Sequence, residues 1–474
     1  MTLAFGRRLV RRVLLHLARG MPIERMLARS RAGAARMAEC AARSSRAYQQ
    51  LLLEAGVDAA RAEFDALPVL DKDNTFGRFT VDELSRELPA TNLADVLTSS
   101  GRGGRTFGFR LSARKSHERA WFNIDLGLQD AFGVDDRSTL LVNCLPMGVV
   151  FSSRAVTVAN VSVREDMACA ILRDVGPRFE QTLICSDPLF IRRLLAQGEA
   201  NQIDWRALNT SVIIGEEVLV ESQREYIAAK MGIDLNGGGS RAVLSSFGVG
   251  ELGLNLLFET RETIQLRRAM RNQAGVEQLL AGRAAGPSMP SVFCYNPLRC
   301  HVEVLNPDAN GFGELCFTII DADAVIPLPR YATGDVGRLV ERTAVCTAAA
   351  IAGCEPPWLP VAIVCGRSSD RATGLPSAEE LKELLYTEHE VADQLSGAFR
   401  LAHDTRGAAT LTLQATNAAA AADPALIDRI EALINAGRQL PLHITVAAPS
   451  AFPWRPMLDF ERKFPYLISA PPGQ

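Results

Sequence analysis

The feature that most constrains the fold of this chain is a series of short apolar runs that alternate with stretches of helical spacing. Such runs lie at residues 140–144 (LLVNC), 181–185 (QTLIC) and 211–215 (SVIIG), and residues 221–231 have the pattern of a crossover helix. A run that is apolar at almost every position is typical of a strand covered on both faces, as in parallel sheets crossed by helices. We therefore predict an α/β fold in which sheets and helices are layered.

We predict that the chain divides into a large N-terminal body, residues 1–369, and a small α+β C-terminal domain, residues 370–474. The body begins with helical sequence over residues 1–60, and its strand-rich stretch at about 290–345 predicts a β subdomain. A short polar hinge, residues 366–370, separates the two parts.

The C-terminal domain carries local signals of two helices and two strands. Ser377 and Glu380 form a capping-box pattern, and Asp423 marks the start of a second helix. Alternating runs at residues 409–416 and 442–447 predict the strands.

Composition excludes several classes of protein. The chain has 474 residues, 47% hydrophobic and 22% charged, which is typical of a globular protein. The formal net charge is −3, so no overall basic field indicates nucleic acid as the main partner. No apolar run approaches the roughly 18 to 20 residues that span a bilayer, and the N-terminus lacks a clean signal-peptide core. We therefore expect a cytoplasmic protein. The ten cysteines are too sparse for a disulfide scaffold, so we expect reduced thiols.

The N-terminal helical segment is basic and amphipathic. Two interpretations are open: a helix that contacts a membrane surface or a partner, and a solvated face on a packed N-terminal bundle. We favour the second, so peripheral membrane contact is not the preferred interpretation. The only acid among its leucines, alanines and arginines is Glu24, and the arginines are Arg7, Arg8, Arg11, Arg12, Arg19, Arg25 and Arg29.

A glycine- and serine-rich loop between predicted strands is the first candidate for ligand binding. Glycines let backbone N–H groups wrap an anion, hydroxyls add donors, and guanidinium groups add charge with bidentate geometry. A loop of this composition is suited to bind a phosphate group. The alternative interpretation is a glycine-rich surface turn, and the sequence matches no Walker or dinucleotide-binding pattern. The loop consists of Ser99, Ser100, Gly101, Arg102, Gly103, Gly104 and Arg105.

Two carboxylates stand out because of their surroundings. Glu251 lies among small and apolar residues at 245–253, where an acid is costly unless it is paired or bound to a metal. Asp335 ends the run at 327–335, and a Thr-Gly-Asp turn there would aim its carboxylate outward to grip two hydroxyls of a ribose. The alternatives are a salt-bridged structural glutamate and a plain β-turn, respectively.

The order and separations of these segments resemble the adenylate-forming (AMP-binding) enzyme superfamily, and specifically its phenylacetate-CoA ligase-like branch. The resemblance also rests on residues 48–72, on residues 215–217 (GEE) before a helix, and on residues 330–335 (RYATGD). It covers about residues 35–470 and implies a large body of several subdomains with a small, mobile C-terminal domain. That domain would swing between two half-reactions, the formation of an acyl-AMP and the transfer of the acyl group to an acceptor.

The resemblance implies a nucleotide site. The glycine- and serine-rich loop would hold the triphosphate, Phe247 and Gly248 would flank the adenine, and Asp335 would hold the ribose hydroxyls. Glu251 would help to bind Mg²⁺, and Arg367 would contact ribose or phosphate near the hinge.

It also implies a catalytic lysine near the C-terminus and an acyl pocket. The lysine would bridge the carboxylate and the α-phosphate, and Lys463 is the only lysine after Lys382; a surface lysine in a terminal strand is the alternative. Losing such a donor costs about 2.7 to 4 kcal/mol, so replacing Lys463 by alanine is expected to slow adenylation by about two to three orders of magnitude. The acyl pocket would include Met147, Gly148 and Phe151.

Two segments depart from the pattern of the superfamily. The phosphate loop has Arg102 and Gly103 where two threonines are usual, and Arg105-Thr106 where a Lys-Pro pair is usual. Phe247 stands where a tyrosine is usual, so its ring can stack on adenine but cannot donate a hydrogen bond. The loop therefore keeps positive charge and loses hydroxyl donors.

The leading hypothesis is ATP- and Mg²⁺-dependent adenylation of a small aromatic or otherwise apolar carboxylic acid, followed by transfer to a thiol such as coenzyme A. A close alternative uses another acid or acceptor, such as nitrite with an aryl amine, a carrier-protein thiol or an amine. A non-catalytic nucleotide-binding protein is the alternative from another class. The oligomeric state, including a homodimer, stays open. Structural zinc is not expected, because paired spacing is lacking among Cys294, Cys300, His301, Cys346 and Cys354.

Overall fold

The structure is a computed structural model of the chain. It describes residues 2–100, 106–146, 149–236, 239–282, 288–367, 375–403, 409–438, 441–452 and 466–469.

The described residues alternate helices and strands along most of the chain. The helices are α1 (Thr2–Arg19), α2 (Ile23–Ser44), α3 (Arg46–Glu54), α4 (Val81–Leu84), α5 (Arg114–Phe132), α6 (Glu165–Asp174), α7 (Pro188–Ala200), α8 (Glu221–Met231), α9 (Arg261–Asn272), α10 (Ala274–Ala281), α11 (Arg342–Ala352), α12 (Ala378–Thr387), α13 (His389–Gln394), α14 (Ala418–Ala421) and α15 (Pro424–Asn435). The strands are β1 (Leu93–Ser100), β2 (Phe107–Ala113), β3 (Thr139–Asn143), β4 (Thr157–Asn160), β5 (Gln181–Ser186), β6 (Thr210–Ile214), β7 (Val243–Val249), β8 (Gly253–Phe258), β9 (Ser291–Tyr295), β10 (Cys300–Leu305), β11 (Gly313–Ile319), β12 (Tyr331–Val340), β13 (Val361–Arg367), β14 (Leu395–His403), β15 (Ala409–Ala415), β16 (His443–Ala447) and β17 (Leu467–Ser469).

An eleven-stranded sheet forms the centre of the large body, in the order β10-β11-β12-β13-β9-β8-β7-β6-β5-β3-β4. Strands β4, β3, β5, β6 and β7 are parallel, and the strands from β7 to β10 on the other side are antiparallel. The three apolar runs form β3, β5 and β6, and nearly all of their residues are buried. The predicted layered α/β fold is therefore confirmed.

The strand-rich stretch at about 290–345 contributes β9 to β12 to this same sheet. A hydrophobic cluster from α2, α3 and these strands covers one face, and α9, α10 and α11 pack on a second cluster with β9 and β13. One continuous sheet therefore joins the parallel strands to the strands that carry Tyr331 and Asp335.

Local sequence signals set several helix ends. Helix α8 occupies the predicted residues 221–231 and stops at Gly232, whose φ of 61° is the left-handed conformation that glycine adopts easily. Ser377 and Glu380 form the predicted capping box of α12, and Asp423 caps α15 by accepting from the Ala425 N–H.

Elements after residue 375 build a separate four-stranded sheet in the order β16-β15-β14-β17. The predicted strands at 409–416 and 442–447 are β15 and β16. The predicted division at residue 369 falls within 368–374, outside the described residues. One hydrophobic cluster nevertheless joins α7 and α8 to α12, α15 and the small sheet.

The N-terminal segment folds as three helices, α1 to α3. Helix α2 packs on β10 and β11, whereas α1 lies against α5. Among the described helices, none combines the length and the apolar character needed to cross a bilayer.

Candidate functional site

The glycine- and serine-rich loop joins two strands of an antiparallel hairpin. Ser100 of β1 pairs with Phe107 of β2, the last pair of this antiparallel ladder. Residues 101–105 and the side chain of Ser100 lie outside the described residues, which leaves Ser99 as the one side chain of the loop that the structure describes.

Glu251 lies at the tip of a second hairpin, formed by β7 and β8. Val249 pairs with Gly253, so residues 250–252 make the turn. A Cβ added to Gly250 would stand 2.7 Å from the Ser99 Cβ, and one added to Gly108, on the first hairpin, would stand 3.0 Å from the Glu251 Cδ. The two hairpins therefore touch at positions where only glycine fits.

Four side chains meet where the hairpins touch. The Lys72 Nζ donates to the Ser99 Oγ at 2.8 Å and lies 3.4 Å from the Glu251 Oε1. The Tyr331 hydroxyl donates to the same Oε1 at 2.8 Å. Lys72 is held there because Leu70 bridges to Tyr331 through backbone hydrogen bonds on both sides.

The electrostatics of this cluster favour an anionic Glu251. Burial opposes ionisation, but the Lys72 ammonium, the Ser99 hydroxyl and the Tyr331 hydroxyl together hold the pKa of Glu251 below its usual value. Burial and the Glu251 charge raise the pKa of Tyr331, so this phenol stays protonated. The other carboxylate oxygen, Oε2, is buried and accepts no hydrogen bond from the described residues. Such an oxygen suits a divalent cation, so the residues present fit Mg²⁺.

Asp335 and Arg367 form a second group on neighbouring strands. They pair across β12 and β13, and the Arg367 Nε lies 3.6 Å from the Asp335 Oδ1. The expected Thr-Gly-Asp turn is wrong: these residues lie inside β12, where Gly334 has a φ of 78° and the register shifts on both sides. The bulge leaves Asp335 buried rather than aimed outward.

Phe247 and Gly248 lie on β7, four and three residues before Glu251. The Phe247 ring is half-buried and stacks on Phe317 with ring centres 6.0 Å apart. A Cβ on Gly248 would stand 3.0 Å from the Leu254 Cα of β8, so the hairpin requires a small residue there. Strand β7 is fixed from behind, because the Ser245 N–H donates to the buried Glu259 carboxylate at 2.7 Å.

The remaining predicted site residues are only partly described. Phe151 is half-buried against the cluster of β3, β5 and α5, and its N–H donates to the Asn160 Oδ1 at 3.1 Å. Met147, Gly148 and Lys463 lie outside the described residues, so their assigned roles stay predictions.

Lys72 and Tyr331, the two residues that pair with Glu251, were not predicted as site residues. One signal was present, since Lys72 is one of only five lysines and ends the stretch 48–72. Tyr331 lies within the run 330–335, but its position in that run does not mark it as a partner of Glu251. No group of three or more His, Cys, Asp or Glu side chains is placed to hold a metal ion among the described residues.

Comparison with known proteins gives matches in structure only. No protein-family model matches the sequence, and no curated protein matches it. The crystal structure of 2-hydroxyisobutyryl-CoA ligase in the postadenylation state, in complex with 2-HIB-AMP, matches with a TM-score of 0.68 at 13% identity, covering 95% of this chain and 90% of that chain. The same ligase with 2-HIB-AMP and CoA in the thioesterification state matches with a TM-score of 0.55, at the same identity and coverage.

A third match is a multidomain structure of a keto acid-selecting NRPS module with adenylation, ketoreductase and pseudo Asub domains. It has a TM-score of 0.51 at 13% identity and covers 80% of this chain and 33% of that chain. This chain therefore has the fold of the adenylate-forming enzymes, with a smaller C-terminal part, as the resemblance implied. None of the three matches specifies the phenylacetate-CoA ligase-like branch.

Proposed function

We propose that this protein uses ATP and Mg²⁺ to adenylate a small carboxylic acid and then transfers the acyl group to the thiol of coenzyme A. The observation that carries the proposal is the meeting of Lys72, Glu251 and Tyr331 at Ser99, the first residue of the glycine- and serine-rich loop. The fold adds support, because the matched ligase binds an acyl-AMP and CoA.

The nucleotide would extend along β12. Asp335 accepts from the ribose hydroxyls, and Arg367 supplies a guanidinium that holds the carboxylate in place. The loop 99–105 wraps the triphosphate with backbone N–H groups and two guanidinium groups. The half-buried ring of Phe247 stacks on the adenine.

Glu251 would hold Mg²⁺ through its buried Oε2. The cation, when bound, neutralises phosphate charge. Lys72 and Tyr331 keep Glu251 ionised and fix its Oε1, so the carboxylate needs no reorganisation when the nucleotide arrives. Lys72 also holds the Ser99 hydroxyl at the base of the loop.

The chemistry is a displacement at the α-phosphorus. A carboxylate oxygen of the acid forms a new bond to the α-phosphorus. The bond between the α-phosphorus and the oxygen that bridges it to the β-phosphorus breaks, and pyrophosphate leaves. Lys463 would neutralise the charge between the attacking carboxylate and the α-phosphate. The thiolate of coenzyme A then attacks the acyl carbon and AMP leaves.

The acid is proposed to be small and aromatic or otherwise apolar. Phe151 contributes an apolar surface, and Met147 and Gly148 would line the same pocket. The C-terminal domain would rotate between the half-reactions, and the cytoplasm would supply ATP and coenzyme A.

The test measures pyrophosphate release with ATP·Mg²⁺ against a panel of aromatic, aliphatic and hydroxy acids, with nitrite included. The proposal expects release that depends on an acid, and acyl-CoA when coenzyme A is added. If pyrophosphate is released with an acid but a product forms only with an amine or a carrier-protein thiol, the acceptor is that compound and not coenzyme A. If pyrophosphate is released with nitrite alone, the substrate is nitrite and not a carboxylic acid. ATP binding without release under any condition would favour the non-catalytic alternative.

A further inference from the structure

Helix α1 is attached to the body by its charged face. Arg11 is 2% exposed, donates from Nε to the Asp135 Oδ2 at 3.1 Å, and places its NH1 3.5 Å from the Asp125 Oδ2. Arg12 pairs with Asp136 and Arg19 with Asp130. The helix therefore packs on α5 and the following turn through salt bridges.

The aliphatic face of α1 consequently points into solvent. Leu9, Val10, Val13, Leu14 and Leu17 are between 40% and 59% exposed. Their spacing puts them on one continuous stripe of the helix, opposite Arg11. The favoured interpretation, a packed bundle with a solvated polar face, does not account for this stripe: Arg11 is buried and Arg8, Arg12 and Arg19 are exposed, but the aliphatic residues of the stripe are exposed as well.

This stripe differs from ordinary exposed side chains. Single apolar residues on a surface are common, but a contiguous apolar stripe marks an interaction site. The salt bridges of the arginines hold the helix in the orientation that exposes the stripe. The opposite orientation would bury the leucines and remove their apolar surface from water.

Charge decides between the candidate occupants. Helix α1 contains five arginines and no acidic residue, and exposed Arg25 and Arg29 follow in α2. Two copies packed through this stripe would bring arginine-rich flanks together with no acid on either helix. A nucleic acid is a poor occupant, because its charged backbone would have to contact the aliphatic stripe. An anionic lipid surface satisfies both features, because the leucines would enter the acyl boundary and the exposed arginines, Arg8, Arg12, Arg25 and Arg29, could reach phosphate groups, whereas buried Arg11 stays with the body.

We propose that α1 is an interfacial helix that binds reversibly to an anionic lipid surface through this stripe. Asp130, Asp135 and Asp136 neutralise part of the arginine charge. The stripe therefore supplies most of the affinity, and salt weakens binding without abolishing it.

The test is flotation of the full chain with phosphatidylcholine vesicles that contain either no anionic lipid or about 30% phosphatidylserine. We expect stronger binding to the anionic vesicles, reduced severalfold between about 0.1 M and 1 M salt, where the Debye length falls from about 10 Å to about 3 Å. The double variant Leu9→Ser/Leu17→Ser should bind about tenfold more weakly, since each substitution removes apolar surface that the lipid would otherwise bury.

The matched control is Leu53→Ser/Ile351→Ser, which removes two exposed aliphatic side chains outside the stripe. It should bind vesicles like the wild type, and both double variants should keep the wild-type unfolding midpoint. Absence of vesicle binding, or equal loss in both variants, would overturn the proposal. A dimer that the Leu9→Ser/Leu17→Ser variant loses, without vesicle binding, would assign the stripe to contact between copies instead.

Discussion

At the scale of single residues, Lys72 is the most informative side chain of the site. It is the described cation closest to Glu251, and it contacts both hairpins that meet there. Its position depends on the pairing of Leu70 with Tyr331, residues far apart in sequence. The scarcity of lysine could have drawn attention to it, but no local rule reveals which lysine reaches a site.

Replacing Lys72 by methionine is expected to lower acid-dependent pyrophosphate release about a hundredfold, because an oriented charge beside the phosphates is lost. Lys72 lowers the pKa of Glu251, so its removal raises that pKa. The acidic limb of the pH–rate profile should therefore move to higher pH. Lys115→Met, which removes an exposed lysine, is the control and should change neither quantity. An unchanged acidic limb in Lys72→Met would contradict the pairing.

His301 gives a prediction about stability. Its ring contacts Phe64 edge-on, and its Nδ1 lies 3.1 Å from the Ser30 Oγ. Burial, with the charge of Arg31, lowers the pKa of His301 to about 4.

The unfolded chain takes up this proton more readily than the folded chain, because the imidazole pKa is 6.5 when unperturbed. The free energy of unfolding should therefore fall by about 1 to 3 kcal/mol as pH drops from about 6.5 to about 4. Urea unfolding at several pH values measures this fall. The free energy of unfolding of His301→Gln should depend less on pH than that of the wild type, whereas His16→Gln, which replaces an exposed histidine, should behave like the wild type. The same pH dependence in the wild type and both variants would show that His301 does not cause the fall.

At the scale of elements, local rules were sufficient for most of the chain. Apolar runs predicted β3, β5 and β6, and capping residues predicted the starts of α12 and α15, because these signals lie within a few residues of the element. The bulge at Gly334 could not be predicted, since it arises from pairing with β11 and β13. The orientation of α1 likewise depends on Asp125 and Asp135, more than a hundred residues away.

The contact between the two hairpins makes Gly250 a test of the site at this scale. In Gly250→Ala, the added Cβ would lie 2.7 Å from the Ser99 Cβ, so one hairpin must move. We expect a loss of about 1 to 3 kcal/mol in the free energy of unfolding and weaker ATP binding. Gly239→Ala is the matched control, because nothing lies within 4 Å of its added Cβ. Wild-type stability and ATP affinity in Gly250→Ala would show that the hairpins do not meet closely.

At the scale of the whole molecule, polar contacts accompany the hydrophobic cluster that joins the C-terminal elements to the body. The Lys382 Nζ and the Tyr466 hydroxyl both donate to the Glu217 Oε2, at 2.7 and 2.8 Å. Rotation of the C-terminal domain between half-reactions would have to break these contacts. None of these long-range contacts was predictable from sequence.

Glu217→Gln should leave the nearly buried Lys382 ammonium without its counter-charge and cost about 3 kcal/mol of unfolding free energy. The double variant Glu217→Gln/Lys382→Met should recover at least half of that loss, because no unpaired charge remains. Disrupting the exposed Lys115–Asp323 pair with Lys115→Met should cost less than about 1 kcal/mol. Denaturant unfolding measures these variants together with the single variant Lys382→Met, and additive effects of Glu217→Gln and Lys382→Met would argue against the contact.

Calorimetric titration of ATP·Mg²⁺ tests whether distant segments of the chain converge to bind a nucleotide. We expect saturable binding at one site in the wild type. Binding should be at least about tenfold weaker in Asp335→Asn and in Glu251→Gln, since each removes a charged partner of the ligand. No heat with the wild type, or wild-type affinity in both variants, would show that these segments form no nucleotide site.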